Sequence, residues 1–181
     1  MDEAERKIHH SRSLRLPGYD YSQPGAYFVT VVAHGRACLF GEVVDGEMVL
    51  NAAGIVVEAA WRDLPVHYPG AELGAFCIMP NHIHAIIVLV DIGTKIIPVE
   101  AGLRPASTAA KNHPLSEIVR AFKSFSARRI NKIRKTQGIP VWQRNYYEHI
   151  IRNDDDYRLI HLYIQANPAR WPEDKSSLAN L

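Results

Sequence analysis

The chain has 181 residues, of which 47% are hydrophobic and 22% charged, and its formal net charge is +2. This length and composition are typical of one globular domain whose core needs no disulfide or metal to hold it. The longest apolar run, residues 85–90, is too short to span a membrane, and residues 1–7 lack the apolar segment of a signal peptide. Cys38 and Cys77 lie far apart without a CxxC pattern, which argues against a disulfide framework or a cysteine zinc site and favours a reducing cytoplasm.

The distribution of charge is more informative than its total. Residues 118–147 contain eight lysines and arginines and no aspartate or glutamate. A second basic stretch lies within residues 6–15, whereas three consecutive aspartates stand at 154–156. Such segregation favours a polyanionic partner. The alternative is a solvated helix face together with a disordered tail.

Composition and turn signals divide the chain into three parts. We expect a basic N-terminal arm over residues 1–24, a single domain over residues 25–172 and a C-terminal tail over residues 173–181. The domain opens on an aromatic and β-branched segment, residues 26–32, which predicts a strand.

Two elements follow this strand. Asp45-Gly46 stands between apolar pairs and predicts a β-hairpin over residues 40–50. Asn51 then caps a helix, whose apolar residues recur at helical spacing until Pro65.

The middle of the chain predicts two strands and a long helix. The strands, residues 73–79 and 82–90, are joined through Pro80-Asn81, and residues 91–114 are expected to form a loop. The long helix covers residues 115–135. Its predicted apolar side comprises Leu115, Ile118, Val119, Phe122, Phe125 and Ile130.

The remaining elements complete an α+β order. Residues 141–151 predict a strand or extended segment, and Asn153 with the three aspartates opens a last helix that runs to Ala166 and ends at Asn167-Pro168. Because the two-residue connection at Pro80-Asn81 requires antiparallel strands, we expect an α+β fold: a ferredoxin-like antiparallel sheet with helices packed on one face.

The segment Pro80-Asn81-His82-Ile83-His84 holds the clearest chemical signal. On a strand, His82 and His84 point to the same face and Ile83 to the other. Two imidazoles on one face can converge on one metal ion. The alternative is a hydrogen-bonded histidine pair at the end of a strand.

The last predicted helix supplies a second signal. Tyr163 and Asn167 are four residues apart and share a helical face. A phenol and an amide oxygen there suit a nucleophile and a third metal ligand, since a tyrosine that attacks phosphorus leaves a covalent phosphotyrosine. The alternative is that Tyr163 packs in the core with Leu159, Ile160 and Ala166.

Three other tyrosines compete for the role of nucleophile. Tyr157 lies off the face of Asn167. Tyr146 and Tyr147 stand on the preceding extended segment beside Trp142, where packing or base stacking suits them better. The spacing therefore favours Tyr163 by a narrow margin.

Three segments in sequence order resemble a known family: Pro80 to His84, Val141 to Asn153, and Tyr163 to Pro168. Together with the strand Gly25 to Thr30, they are similar to the REP-associated tyrosine transposases. This group belongs to the HUH single-tyrosine transposases of bacterial insertion sequences. The resemblance extends over residues 19–174, nearly the whole chain.

The resemblance implies a function and a cofactor. In that family, a histidine–hydrophobic–histidine motif on a central strand binds Mg²⁺ or Mn²⁺, and a tyrosine on a C-terminal helix attacks single-stranded DNA. The attack leaves a 5′-phosphotyrosine and a free 3′-OH. His82 and His84 match the metal ligands, Tyr163 matches the nucleophile, and Asn167 falls where relatives supply a third ligand of varying type.

The implied partner is single-stranded DNA that carries a hairpin, contacted through its phosphates by the basic helix and arm and through its bases by aromatic rings. No membrane partner is expected. Relatives include dimers and monomers, so a homodimer and a monomer both stay open. The expected DNA-binding residues are Arg12, Arg15, Arg120, Lys123, Arg128, Arg129, Lys132, Trp142, Arg144 and Tyr146.

Two rival interpretations stay open. The first is a hairpin-binding protein that keeps the fold but does not cut DNA. The second is an unrelated α+β nucleic-acid-binding domain in which the two histidines only pack.

Overall fold

The computed structural model describes residues 18–91 and 113–171. This part of the chain forms six strands, four α-helices and two short 3-10 turns, and none of its helices is long and apolar enough to cross a membrane. The elements in chain order are β1 (Gly25–Val32), a 3-10 turn (His34–Arg36), β2 (Gly41–Val44), β3 (Glu47–Leu50), α1 (Ala52–Arg62), α2 (Leu64–His67), β4 (Ala71–Met79), β5 (His82–Leu89), α3 (Leu115–Arg134), β6 (Tyr147–Ile151), α4 (Asp154–Ala166) and a second 3-10 turn (Pro168–Arg170).

Four strands form an antiparallel sheet in the order β4-β5-β1-β6, while β2 and β3 form a separate hairpin. In chain order, the four sheet strands and the helices between them follow the βαββαβ pattern of a ferredoxin-like fold, so the predicted fold class is confirmed. Thr30 of β1 pairs in register with His84 on one side and with Tyr147 of β6 on the other. These three residues therefore lie in one row across the sheet and point to the same face.

The larger hydrophobic core lies on one face of the sheet, here termed the core face. Val29 and Ile83 extend from this face, and α1 and α3 cover it with Trp61 and Phe122. The rings of Trp61 and Phe122 meet edge to face at 5.6 Å. Helix α3 is thereby fixed against the back of the strand that carries the two histidines.

The opposite face, here termed the site face, is covered by α4. Ile160 and Ile164 of this helix pack against Phe28 and Ile86 of the two central strands. The expectation that helices occupy only one face is therefore wrong. Its physical reason is that β5 is apolar on both faces, and an apolar second face must be covered as well.

The capping residues in the sequence correctly predicted where two helices begin. The side chain of Asn51 accepts hydrogen bonds from the backbone N–H of Ala53 and Gly54 and caps α1. Asn153 caps α4 in the same way through the backbone N–H of Asp156.

Two local expectations are wrong. Pro65 does not end α1, which stops at Arg62; it lies in the first turn of α2, where its missing N–H costs nothing. Phe125, expected on the apolar side of α3, is 37% exposed. Residues 141–151, predicted as a strand or extended segment, form a regular strand only in β6; before it, Trp142 makes a single bridge with Ala33, just after β1.

Candidate functional site

His82 and His84 bring their side chains together on the site face. The Nε2 atoms of the two rings lie 3.0 Å apart, and the ring centroids 4.5 Å apart. Both side chains are buried, with exposed fractions of 1% and 5%. The strand periodicity thus predicted the convergence of these two imidazoles correctly.

In each ring, Nδ1 lies within hydrogen-bond distance of a polar side chain. Nδ1 of His82 lies 2.6 Å from Oδ1 of Asn81, an acceptor, so Nδ1 carries the proton. Nδ1 of His84 lies 2.8 Å from the hydroxyl of Thr30, which can donate or accept. We infer that His84 donates Nε2–H to His82 in the free protein, and that Thr30 also accommodates the other tautomer, in which both Nε2 lone pairs are available.

Tyr163 of α4 reaches the histidine pair within the same chain. Its hydroxyl oxygen lies 3.4 Å from Nε2 of His84, and the two rings are 5.2 Å apart. Phe28 supports both groups: its ring stacks on His84 at 5.4 Å and meets Tyr163 edge to face at 6.1 Å. The residue expected to be the nucleophile therefore contacts one of the residues expected to be metal ligands.

Asn167 lies one helical turn beyond Tyr163. It ends α4 with helical backbone angles and is 2% exposed, and its Oδ1 has no hydrogen-bond partner among the described residues. One turn further on, the Trp171 ring lies 6.2 Å from that of His82. Because the flanking residues of this helical face both contact the histidines, Asn167 lies on the same side, and a buried unsatisfied oxygen there is suited to an additional ligand.

A divalent ion fits this donor set. With metal–nitrogen distances of about 2.1 Å, two nitrogens 3.0 Å apart subtend about 90°, as adjacent octahedral ligands do. Within residues 18–91 and 113–171, no group of three or more His, Cys, Asp or Glu side chains has metal-binding spacing, so a three-ligand protein site here would need a donor of another type. Cys77 pairs with His84 in register, but burial raises the pKa of its thiol to about 12, so it is no thiolate at neutral pH. The orphaned oxygen of Asn167 therefore completes the set best.

The competing tyrosines are placed elsewhere. Tyr157 stacks on His161 and lies over Gly74 of β4. Tyr146 packs against the core-face cluster. Tyr147 does lie on the site face, where its ring and that of Tyr163 each lie 6.1 Å from the ring of Phe28.

No family model matches the chain. A Haemophilus influenzae protein without an assigned function is 37% identical over 170 residues, which are 93% of each chain. A second Haemophilus influenzae protein, provisionally named a REP-associated tyrosine transposase, is 26% identical over 83% of this chain and 74% of its own.

A solved structure with a similar fold carries the same name as the second of these proteins. It is a REP-associated tyrosine transposase bound to a REP hairpin, and it superposes with a TM-score of 0.57 at 22% identity over 87% of this chain and 73% of the other. The chain is similar to the REP-associated tyrosine transposases. At 22% identity, the structural likeness shows the fold alone.

Trp142, which was expected to contact DNA, is buried in the core, so this expectation is wrong. Trp142 is only 7% exposed, and its ring lies 4.8 Å from that of Phe40 and 5.6 Å from that of Phe122. Its Nε1–H donates to Oγ of Ser126 at 2.9 Å. Trp142 completes the core and has no free ring face for a base.

Lys123, which was also expected to contact DNA, binds backbone carbonyls of its own chain. Its ammonium donates to the backbone carbonyls of Gln143, Arg144 and Asn145, at 2.6, 2.8 and 3.4 Å. Burial lowers the pKa of this lysine. In this structure three carbonyls occupy the donors of Lys123, so its phosphate contact stays a prediction.

The remaining cations differ in their surroundings. The Arg128 guanidinium lies 4.9 Å above the ring of Phe125, and Arg129 forms a 2.7 Å ion pair with Asp63. Lys132 is exposed on the same helix. Arg12 and Arg15 lie outside the described residues, so their contacts stay a prediction. Arg120, Arg144 and Tyr146 line one groove.

Three residues that contact the histidine pair were not predicted from the sequence. Thr30 and Asn81 orient the histidines, and both stand in segments that carried the family resemblance without a role. Trp171 covers His82 and is 9% exposed. Its spacing of four residues from Asn167 was a usable helical signal, which Pro168 obscured.

Proposed function

We propose that this protein is a metal-dependent transposase that cuts and rejoins single-stranded DNA through a covalent tyrosine intermediate. The contact between the Tyr163 hydroxyl and Nε2 of His84, at 3.4 Å, carries this proposal. The neighbouring Nε2 of His82 and the buried oxygen of Asn167 supply the rest of the site. A nucleophile beside a metal-binding pair is the minimum that such chemistry requires.

The proposed step is balanced within the DNA and the tyrosine. The phenol oxygen of Tyr163 attacks the scissile phosphorus, a new O–P bond forms, and the P–O3′ bond breaks. The 3′ oxygen leaves as a hydroxyl and takes, overall, the proton that the phenol loses. Attack on the phosphotyrosine by another 3′-OH reverses the step and joins two strands.

Each residue of the site has a separate part in this proposal. His82, His84 and Asn167 would hold Mg²⁺ or Mn²⁺, and the ion, when bound, polarises the phosphate and neutralises developing charge. Asn81 keeps His82 in the tautomer that ligation through Nε2 needs, and Thr30 orients the ring of His84 and accommodates its ligating tautomer.

The proposed substrate is single-stranded DNA with a hairpin. The supporting relative is bound to a REP hairpin. In this chain, the exposed side of α3 carries several cations without intervening acids, and such a surface contacts phosphates regardless of sequence.

A cleavage assay tests the function. Hairpin-bearing single strands from the flanks of the gene are incubated with protein and Mg²⁺ or Mn²⁺ and resolved on denaturing gels. We expect cleavage by the wild type, none in excess EDTA, and none by His82→Ala. The matched control is His67→Ala, an exposed histidine on α2, which should cleave normally. Equal cleavage by His82→Ala or in EDTA would contradict the proposal.

The burial of the site favours one second candidate. At 1% and 5% exposure, His82 and His84 are closed to a phosphate in this conformation. A protein that binds hairpins without cutting them would tolerate that closure. Tight hairpin binding by the wild type without cleavage in either metal would support this candidate.

A further inference from the structure

A polar groove separates the first half of α3 from the residues just before β6. Its volume is about 780 Å³, which is within the range of ligand sites. Three cations and one carboxylate line it, and the carboxylate of Glu117 lies 3.1 Å from Nδ1 of His113. The groove residues are Pro114, Ser116, Glu117, Arg120, Lys123, Arg144, Asn145 and Tyr146.

One buried contact shapes this groove. The ammonium of Lys123 holds three consecutive carbonyls of residues 143–145, and this ties the segment to α3. The side chains of Arg144 and Asn145 are exposed, as is that of Arg120 across the groove. Lys123 therefore fixes the backbone from which Arg144 extends.

The groove lies at the same end of the sheet as the histidine pair. The backbone N–H of Gln143 donates to the carbonyl of Val32, and Val32 pairs in register with His82. Tyr147, the first residue of β6, lies in the row of His84 two strands away, about 10 Å at usual strand spacing. Because β6 is an edge strand of the described sheet, a flexible chain can pass from the groove around this edge to the site face.

We propose that this groove binds the sugar-phosphate backbone of the single-stranded DNA next to the scissile phosphate. Arg120 and Arg144 are the phosphate contacts, and Lys123 is a positioning residue that fixes Arg144. The inference rests on the proposed function, since it names where that substrate lies. Arg128 and Arg129 suit this role less, because each already contacts another side chain.

A binding experiment without metal tests the groove. Fluorescence anisotropy in EDTA compares a labelled hairpin with single-stranded flanks on both sides and the same hairpin without flanks. Arg144→Ala and Arg120→Ala should each weaken binding of the flanked hairpin about tenfold, the value of one charged hydrogen bond, and leave the blunt hairpin unchanged. The dependence of log affinity on log salt should fall by about 0.7 for each lost contact.

Lys123→Met tests the positioning role, with Arg62→Met, which removes an exposed cation of α1 outside the groove, as control. Lys123→Met should match Arg144→Ala, and the double variant should lose no more than either single variant, because both changes remove the same contact. Additive losses would mean that Lys123 acts independently of Arg144 and would overturn its positioning role. If Lys123→Met does not fold, Arg120→Ala and Arg144→Ala still test whether the groove binds DNA.

The outcomes separate this inference from the proposed function. Equal losses of affinity for flanked and blunt hairpins, or no losses, overturn the proposal that this groove binds the flanking DNA, even if the protein cleaves DNA. Flank-specific losses support it even if no cleavage is found in any metal.

Discussion

The hydroxyl of Tyr163 and Nε2 of His84 lie 3.4 Å apart within a single chain. In this structure helix α4 therefore lies over a strand of its own chain and brings the candidate nucleophile beside the candidate ligands. Ile160 and Ile164 hold the helix there by packing on Phe28 and Ile86. The site is thus built on the same hydrophobic contacts that close the second face of the sheet.

Replacing Thr30 with Val should weaken metal binding without changing the ligands. Valine keeps the shape of the side chain but removes the hydroxyl that lies 2.8 Å from Nδ1 of His84. Loss of such an outer partner typically lowers metal affinity by about 10- to 100-fold. Calorimetric titration with Mn²⁺ measures this. Thr136→Val, which removes a hydroxyl bonded to Asn131 far from the site, should bind Mn²⁺ as the wild type does; equal affinity of the two variants would contradict the role of Thr30.

Replacing Trp171 with Ala should open the site. The ring covers His82, so its removal should raise the rate at which diethylpyrocarbonate modifies that histidine, measured by peptide mass spectrometry under native conditions. The free energy of unfolding should fall by about 3–5 kcal/mol, as for other large core rings. Trp61→Ala, on the core face, should cost a similar amount without exposing His82. The same modification rate in both variants would show that Trp171 is not the cover.

Much of the site could be predicted because its signals are local. The strand period placed His82 and His84 on one face, and helical spacing placed Tyr163 with Asn167. The role of Trp142 could not be predicted, because its burial depends on Phe40, which a distant segment brings to it. Lys123 likewise contacts carbonyls about twenty residues away, and no local pattern in α3 indicates them.

Unlike the contacts of Trp142 and Lys123, the coverage of both sheet faces could have been predicted from the sequence. Every residue of β5 but one is buried, which is a pattern of strands enclosed on two sides. The α+β order of the elements led us to expect helices on one face only. The unbroken apolar run after His84, residues 85–90, instead indicates a strand that is covered on both faces.

Ser126 offers a test of the core that is independent of the site. Its hydroxyl accepts the Nε1–H of buried Trp142 and donates to the carbonyl of Phe122. Ser126→Ala leaves the indole N–H without a partner, so the free energy of unfolding should fall by about 1–3 kcal/mol. Ser124→Ala, at an exposed position of the same helix, should change it by less than about 0.5 kcal/mol. Urea denaturation compares the two, and equal stability would contradict the assigned hydrogen bond.

The central claim is that Tyr163 becomes covalently attached to DNA. Tyr163→Phe removes only the hydroxyl, so folding should survive with a loss of about 1 kcal/mol. The most direct measurement is a protein–DNA band that resists SDS and heat, formed on hairpin-bearing single-stranded DNA with Mg²⁺ or Mn²⁺, with mass spectrometry of the linked peptide. The account predicts the band in wild type, Tyr147→Phe and Tyr157→Phe, its absence in Tyr163→Phe, and a linkage at residue 163. A band that persists in Tyr163→Phe and disappears in Tyr147→Phe or Tyr157→Phe would contradict it.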